Sequence, residues 1–306
     1  MRYTRFYVML VSAVLLLMSC TGHPATELQV SSEPLPVAET NMLSQTKLLG
    51  IWNDQLLFLD ENMLYTYDVT TGQRETIYTA NLPMRHVLIH PSGNTMLIVS
   101  AKSDAVAQIT LWSRDMERLY EVDIASYEVV AAFDQTNATQ FSVSAFSKNY
   151  EATVYTYIHN ELQMVQTKTP FVHMRNGQLY TVNDEQITEA GKVIIQQATH
   201  AFIGASDIYY VTADAPNVVQ SANERWTLPE PVLSLHEQHE QLYAWLEQHA
   251  RYELLQIPQM TSIVSADAPV PFIVDSQQRF VVYGEQYEWL QQHGQPPMNW
   301  LSIDEK

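Results

Sequence analysis

Residues 47–79 read KLLGIWNDQLLFLDENMLYTYDVTTGQRETIYT. The stretch falls into four short segments, LLGIW, QLLFLDE, MLYTYDV and RETIYTA, with polar turns between them. Leu56-Leu57-Phe58-Leu59 is apolar at consecutive positions, which a strand tolerates only when both of its faces are covered. The fourth segment is distinctly more polar. Such a gradient across consecutive strands is what one blade of a β-propeller requires, because its inner strands lie between neighbouring blades and its outermost strand is half solvated. Thr71-Gly72 supplies the turn between the third and fourth strands. The abundance of Val, Ile, Thr, Tyr and Phe in short runs disfavours a helical solenoid.

The unit then recurs. Its second strand is LLFL at 56–59, MLIV at 96–99, FSVSAF at 141–146, LYTV at 179–182, IYYV at 208–211, LYAWL at 242–246 and FVVY at 280–283. The mean step is about 37 residues, a period of propellers and solenoids. Pro91-Ser92-Gly93-Asn94 joins the first two strands of the second unit. This count predicts seven units over residues 47–306. Residues 235–256, LHEQHEQLYAWLEQHARYELLQ, use strong helix formers and place Leu242, Leu246 and Ala250 at helical spacing. The repeat nevertheless requires a hairpin there, LYAWL followed by RYELLQI.

Upstream of the repeats the composition changes twice. Residues 1–19 carry Arg2 and Arg5, an uncharged apolar run from Phe6 to Met18, and Ser19 immediately before Cys20, which is the only cysteine. This order is that of a secretory signal. Leu17-Met18-Ser19-Cys20 resembles the lipobox of bacterial lipoproteins, which implies cleavage between Ser19 and Cys20 and a diacylglycerol on the Cys20 thiol. An uncleaved spanning helix would need about 20 apolar residues, and this run is shorter. Residues 20–46 are the lipidated cysteine and a Ser-, Thr-, Pro- and Glu-rich tether, too poor in large apolar groups to offset the entropy of ordering. As a coil it reaches roughly 25–30 Å. With a single cysteine there is no intramolecular disulfide, so burial alone holds the fold.

The formal net charge of −18 disfavours nucleic acid as a partner, since a phosphate backbone needs cationic neutralisation. It points instead to a neutral or cationic ligand, or to a protein with a basic patch.

The search for catalytic patterns is largely negative. Gly204-Ala205-Ser206-Asp207 approaches a nucleophile elbow but lacks its second glycine. His86 and His90, four apart on a strand, stand about 13 Å from one another and cannot share an ion. His236-Glu237-Gln238-His239 would bring two histidines together on a helix, as a weak zinc pattern; on a strand they diverge, and exposed polar residues are the plainer expectation. No metal ligands and no cofactor-binding residues are assigned, so no cofactor is expected. The acid pairs Asp60-Glu61, Asp184-Glu185 and Asp304-Glu305 fall in predicted turns or the tail, where solvated carboxylates are usual. Trp52, Trp112, Trp226, Trp245, Trp289 and Trp300 could floor a sugar site, but most lie within apolar strands and suit the core.

TKLLGIWNDQLLFLDENMLYTYDVTTGQRETIYT with HVLIHPSGNTMLIVSAKSDAVAQITLW, most clearly across residues 46–160, resembles the YqgU-like β-propeller lipoproteins of Gram-positive bacteria. The resemblance implies six blades, where the repeat count gives seven. The expectation is an all-β, membrane-anchored lipoprotein on the outer face of the cytoplasmic membrane, binding an unknown protein or small molecule. The alternative is an envelope hydrolase or lyase with its site in the propeller channel. Fold alone does not separate the two.

Overall fold

The computed structural model of the chain describes residues 47–69, 71–183, 185–274 and 281–283, all within the compact unit Met42–Lys306. The predicted signal, Ser19, Cys20, the tether, Asp184, Trp289, Trp300 and Asp304-Glu305 lie outside the described residues.

Every regular element among the described residues is a β-strand, and successive antiparallel strands group into sheets in chain order. Blade one is β1 (Lys47–Trp52), β2 (Gln55–Asp60), β3 (Met63–Tyr67) and β4 (Arg74–Thr79). Blade two is β5 (Met84–Ile89), β6 (Thr95–Ser103), β7 (Val106–Ser113) and β8 (Arg118–Ala125). Blade three is β9 (Glu128–Phe133), β10 (Phe141–Phe146), β11 (Ala152–Ile158) and β12 (Glu161–Val165). Blade four is β13 (His173–Arg175), β14 (Gln178–Asn183), β15 (Gln186–Glu189) and β16 (Lys192–Gln196). Blade five is β17 (Ala198–Ile203), β18 (Ile208–Thr212), β19 (Ala215–Gln220) and β20 (Arg225–Thr227). Blade six is β21 (Val232–Gln238), β22 (Gln241–Gln248), β23 (Arg251–Ile257) and β24 (Thr261–Ala266). A two-stranded sheet follows, β25 (Phe272–Val274) with β26 (Val281–Tyr283). The seven sequence repeats are thus six four-stranded blades and this two-stranded sheet.

The apolar second strands do what their composition requires. Leu56, Leu57 and Phe58 of β2 have no exposed surface, and neither do Leu97 and Val99 of β6. Alternate side chains point to opposite faces, so each such strand feeds two inter-blade cores. Leu57 and Leu64 pack with Met96 and Ile98 between blades one and two. Val99 and Ile109 meet Phe133, Phe141 and Tyr157 between blades two and three. Tyr180 and Ile187 meet Ile203 between blades four and five, and Val211 and Val219 meet Leu242 and Ala244 between five and six. The short β25–β26 sheet closes the ring. Phe272 and Val274 pack on Tyr243, Trp245 and Leu254 of blade six. Ile273 and Val282 pack on Leu48, Phe58 and Tyr65 of blade one. Each fully buried side chain of this kind contributes about 1.5–3 kcal/mol.

Residues 235–256 form the predicted hairpin, spread over β21, β22 and β23. Its turns explain why helical spacing does not prevail. His239-Glu240 and His249-Ala250 both take positive φ, at 51° and 61° and at 53° and 62°. Two consecutive residues in that region make the tight turn whose twist matches paired strands. Asn53-Asp54 and His159-Asn160 repeat the device. Three of the ten histidines are therefore turn residues, a conformation that His adopts more readily than most side chains.

Candidate functional site

The chemistry-bearing residues named from the sequence separate into structural parts and one convergence. His90 is buried at the end of β5. Its Nε2 lies 2.9 Å from the Asp134 carbonyl oxygen, which can only accept, so Nε2 carries the proton. Nδ1 then accepts from the Ser92 amide at 3.0 Å and from the Ser92 hydroxyl at 2.7 Å. Burial lowers the His90 pKa, in keeping with this neutral form. Asp134, with no exposed surface, continues the chain of contacts. Its Oδ1 accepts from the amides of Thr136 and Asn137 and from the Thr136 hydroxyl. Its Oδ2 accepts from the Gly177 amide at 2.6 Å. Asp134 thereby ties blades two, three and four together, through its backbone carbonyl to His90 and through its carboxylate to blade four.

His86, four residues earlier, is exposed, and its pKa is lowered by partial burial and by the Lys47 ammonium. His236 bonds Ser234 at 3.0 Å, whereas His239 Nε2 donates to the Val274 carbonyl at 3.1 Å. The two rings thus serve different neighbours along a strand. Among the described residues no three His, Cys, Asp or Glu side chains gather as metal ligands do. Trp52 and Trp245 are buried core residues, and Trp112 and Trp226 are half-buried against Tyr78 and Tyr209.

The convergence was not legible from spacing. Glu237 of β21 packs on the β17–β18 turn, so two motifs about thirty residues apart meet. Its Oε1 accepts from the Ala205 amide at 3.3 Å, while Oε2 is buried with no hydrogen-bond partner among the described residues. Gly204 permits the approach, since a Cβ there would stand 1.8 Å from Oε2. From blade four, Arg175 reaches the same turn and donates to the Ser206 carbonyl at 2.7 Å. Burial raises the Glu237 pKa, against the opposing effects of the Ala205 amide and Arg175. A carboxyl whose pKa is raised by burial gives up its proton at higher pH than an ordinary one, the direction a general acid requires. Ser206, however, bonds the Tyr209 hydroxyl at 3.0 Å. Burial raises the pKa of that phenol, so it is no base for activating a nucleophile.

The second feature is a groove between blades three and four. No cluster of buried apolar side chains bridges this junction among the described residues, in contrast to the other four direct blade junctions and to the closing sheet between blades six and one. The cause lies in blade four. Tyr180, Val182, Ile187 and Ile195 face blade five. The opposite face presents Leu179, Thr181 and Asn183 of β14 with Gln186 and Thr188 of β15. Thr181 and Thr188 lie opposite one another, hydroxyls 2.7 Å apart. This polar face supplies no apolar cluster to the junction, which is joined by hydrogen bonds from the Gly177 amide to Asp134 and from the Ser144 hydroxyl to the Pro170 carbonyl. The junction opens into a groove of about 1020 Å³, walled by Thr156 and Ile158 of β11 and by residues 165–169. That volume is at the upper end for ligand sites.

Comparison with known proteins places these features in a family. Residues 68–283 match the YqgU-like 6-bladed beta propeller domain. The uncharacterized lipoprotein YqgU of Bacillus subtilis is 26% identical over 145 residues, a match covering 41% of this chain and 40% of that protein. The chain thus aligns with less than half of that relative's length. Among solved structures, the uncharacterized protein lmo1340 of Listeria monocytogenes superposes with a TM-score of 0.64 at 11% identity, covering 79% of this chain and 90% of that one. The β-propeller domain of the Trilobed protease from Pyrococcus furiosus gives 0.50 at 12% identity, covering 74% and 86%. At such identities these structures speak for the fold alone.

Proposed function

Because the chain belongs to the YqgU-like six-bladed β-propeller family, we propose that it is a lipoprotein anchored through Cys20 at the outer face of the cytoplasmic membrane, and that its propeller binds an envelope component in the groove between blades three and four. The anchor is supported by the signal-like N-terminus ending at Cys20 and by the lipoprotein among the relatives. Acyl chains hold such a protein because each buried methylene contributes about 0.8 kcal/mol. The binding role rests on one observation: the junction where apolar packing gives way to a large, hydroxyl- and amide-lined groove. Rigid blades hold such a groove open without any catalytic group, as binding surfaces on a fixed scaffold require.

Retention on isolated cell envelopes tests both halves. The wild-type chain partitions with membranes. Cys20→Ala loses incorporation of labelled fatty acid and membrane partition but still binds wall-containing envelopes. Thr181→Trp in the Cys20→Ala background, which fills the groove from its floor, loses that retention. Retention unaffected by Thr181→Trp would remove the groove from the account.

A second reading, an envelope hydrolase or lyase, is favoured by the buried Glu237 carboxyl, its Oε2 without a hydrogen-bond partner among the described residues and its pKa raised by burial. Its signature would be turnover of an envelope substrate, abolished by Glu237→Gln with retention intact.

A further inference from the structure

The groove's lining narrows the class of ligand; this step rests on the binding reading just given. Five threonines and four Asn or Gln residues line the groove, and Lys168 is the only charged residue among the described lining residues. In a chain with 34 acidic residues, no described lining residue carries a carboxylate. A lining with a single charge and many neutral polar groups complements an uncharged ligand. A polyanion would need several cations to repay its desolvation and to overcome the field of an acidic protein, and a polycation would need carboxylates.

The geometry of the groove's floor also favours a glycan over a peptide. An extended peptide is held by adding itself to a free strand edge. The floor of this groove is instead the face of a sheet, where β14 is paired to β13 and β15, and β15 to β14 and β16. Their backbone groups are already engaged, so recognition falls to side chains. Hydroxyls and carboxamides each donate and accept, as sugar hydroxyls do. Leu179, Ile158, Val165 and Val193 stand among them as apolar spots of methyl size. A carbonyl, an N–H and a methyl in one substituent match that mixture.

We propose that the groove between blades three and four binds a neutral glycan chain bearing N-acetyl groups. The test is calorimetric titration of the full-length chain in detergent with chitotetraose and, separately, with cellotetraose, which has the same linkage and no N-acetyl group. Chitotetraose is expected to bind at least about tenfold more tightly than cellotetraose. That binding should fall by about tenfold or more in Thr188→Val and in Gln186→Leu, which each remove hydrogen-bonding capacity from the floor. Both variants should keep the wild-type thermal transition. Binding should be indifferent to salt between about 0.05 and about 0.5 M, since no ligand charge is screened. Equal affinity for the two tetramers, steep salt dependence, or affinity unchanged in both variants overturns the proposal. No binding of chitotetraose by a chain that envelopes still retain through the groove overturns the glycan and leaves the binding function standing. Loss of both overturns both.

Discussion

At the scale of single residues, the fold rests on groups whose roles spacing cannot show. His90 was visible in the sequence as a histidine beside a turn, but its partners, Asp134 and Ser92, come from a loop of blade three and from its own turn. Long-range contacts of this kind leave no local pattern. The same holds for Glu237 and the Gly204–Asp207 turn, each legible alone and joined only by the fold. Asp134→Asn turns an NH2 group either toward the Gly177 amide or toward the Thr136 and Asn137 amides, all of which donate. A buried donor left facing a donor costs about 1–3 kcal/mol, so the variant melts earlier at pH 7.5. The pH dependence of the wild type follows from histidines at 86, 90, 173, 200 and 236, whose pKa values burial lowers in the folded state. The unfolded chain then binds more protons, so this stability is complete above about pH 6.5 and is lost as pH falls through the folded values. Glu237, raised by burial, acts in the opposite sense but is a single group. Thermal scans of both proteins at pH 7.5 and 5.5 check this. A melting temperature that rises on acidification, or an Asp134→Asn variant as stable as wild type, would contradict it.

Single elements were the most legible part of the sequence. The second strand of each of the first six units is where the apolar run placed it, because consecutive buried positions have no other way to be covered. Blade four was harder. Its LYTV run reads like the others, yet Thr181 faces the groove while Tyr180 and Val182 face blade five. The alternation of Thr181 and Asn183 with Tyr180 and Val182 is the signal that marks a half-solvated sheet. The number of blades was also ambiguous, because a two-stranded sheet carries the same apolar second strand as a full blade. That sheet is nonetheless structural. Phe272 meets the rings of His236, Tyr243 and Trp245 at centroid distances of 5.3, 5.7 and 6.3 Å. Phe272→Ala is expected to cost about 3–5 kcal/mol, measured as a lower urea midpoint. A change under about 1 kcal/mol would mean that the ring does not depend on this closure.

For the whole molecule, the central claim is that the propeller works by binding at the junction of blades three and four and not by catalysis at the Glu237 cluster. Net charge suggested a neutral or cationic ligand from the sequence, and a lining without carboxylates, with Lys168 as its one charge among the described residues, favours the neutral one. The sequence could not place the site, since a groove exists only where two blades fail to pack. Hydrogen exchange of backbone amides, with and without isolated envelopes, separates the two locations directly, because each ligand contact slows local opening. The expected result is added protection confined to residues 156–169 and 178–193, with residues 204–209 and 237–240 unchanged. Protection at 204–209 and 237–240 with none in the groove would contradict the claim.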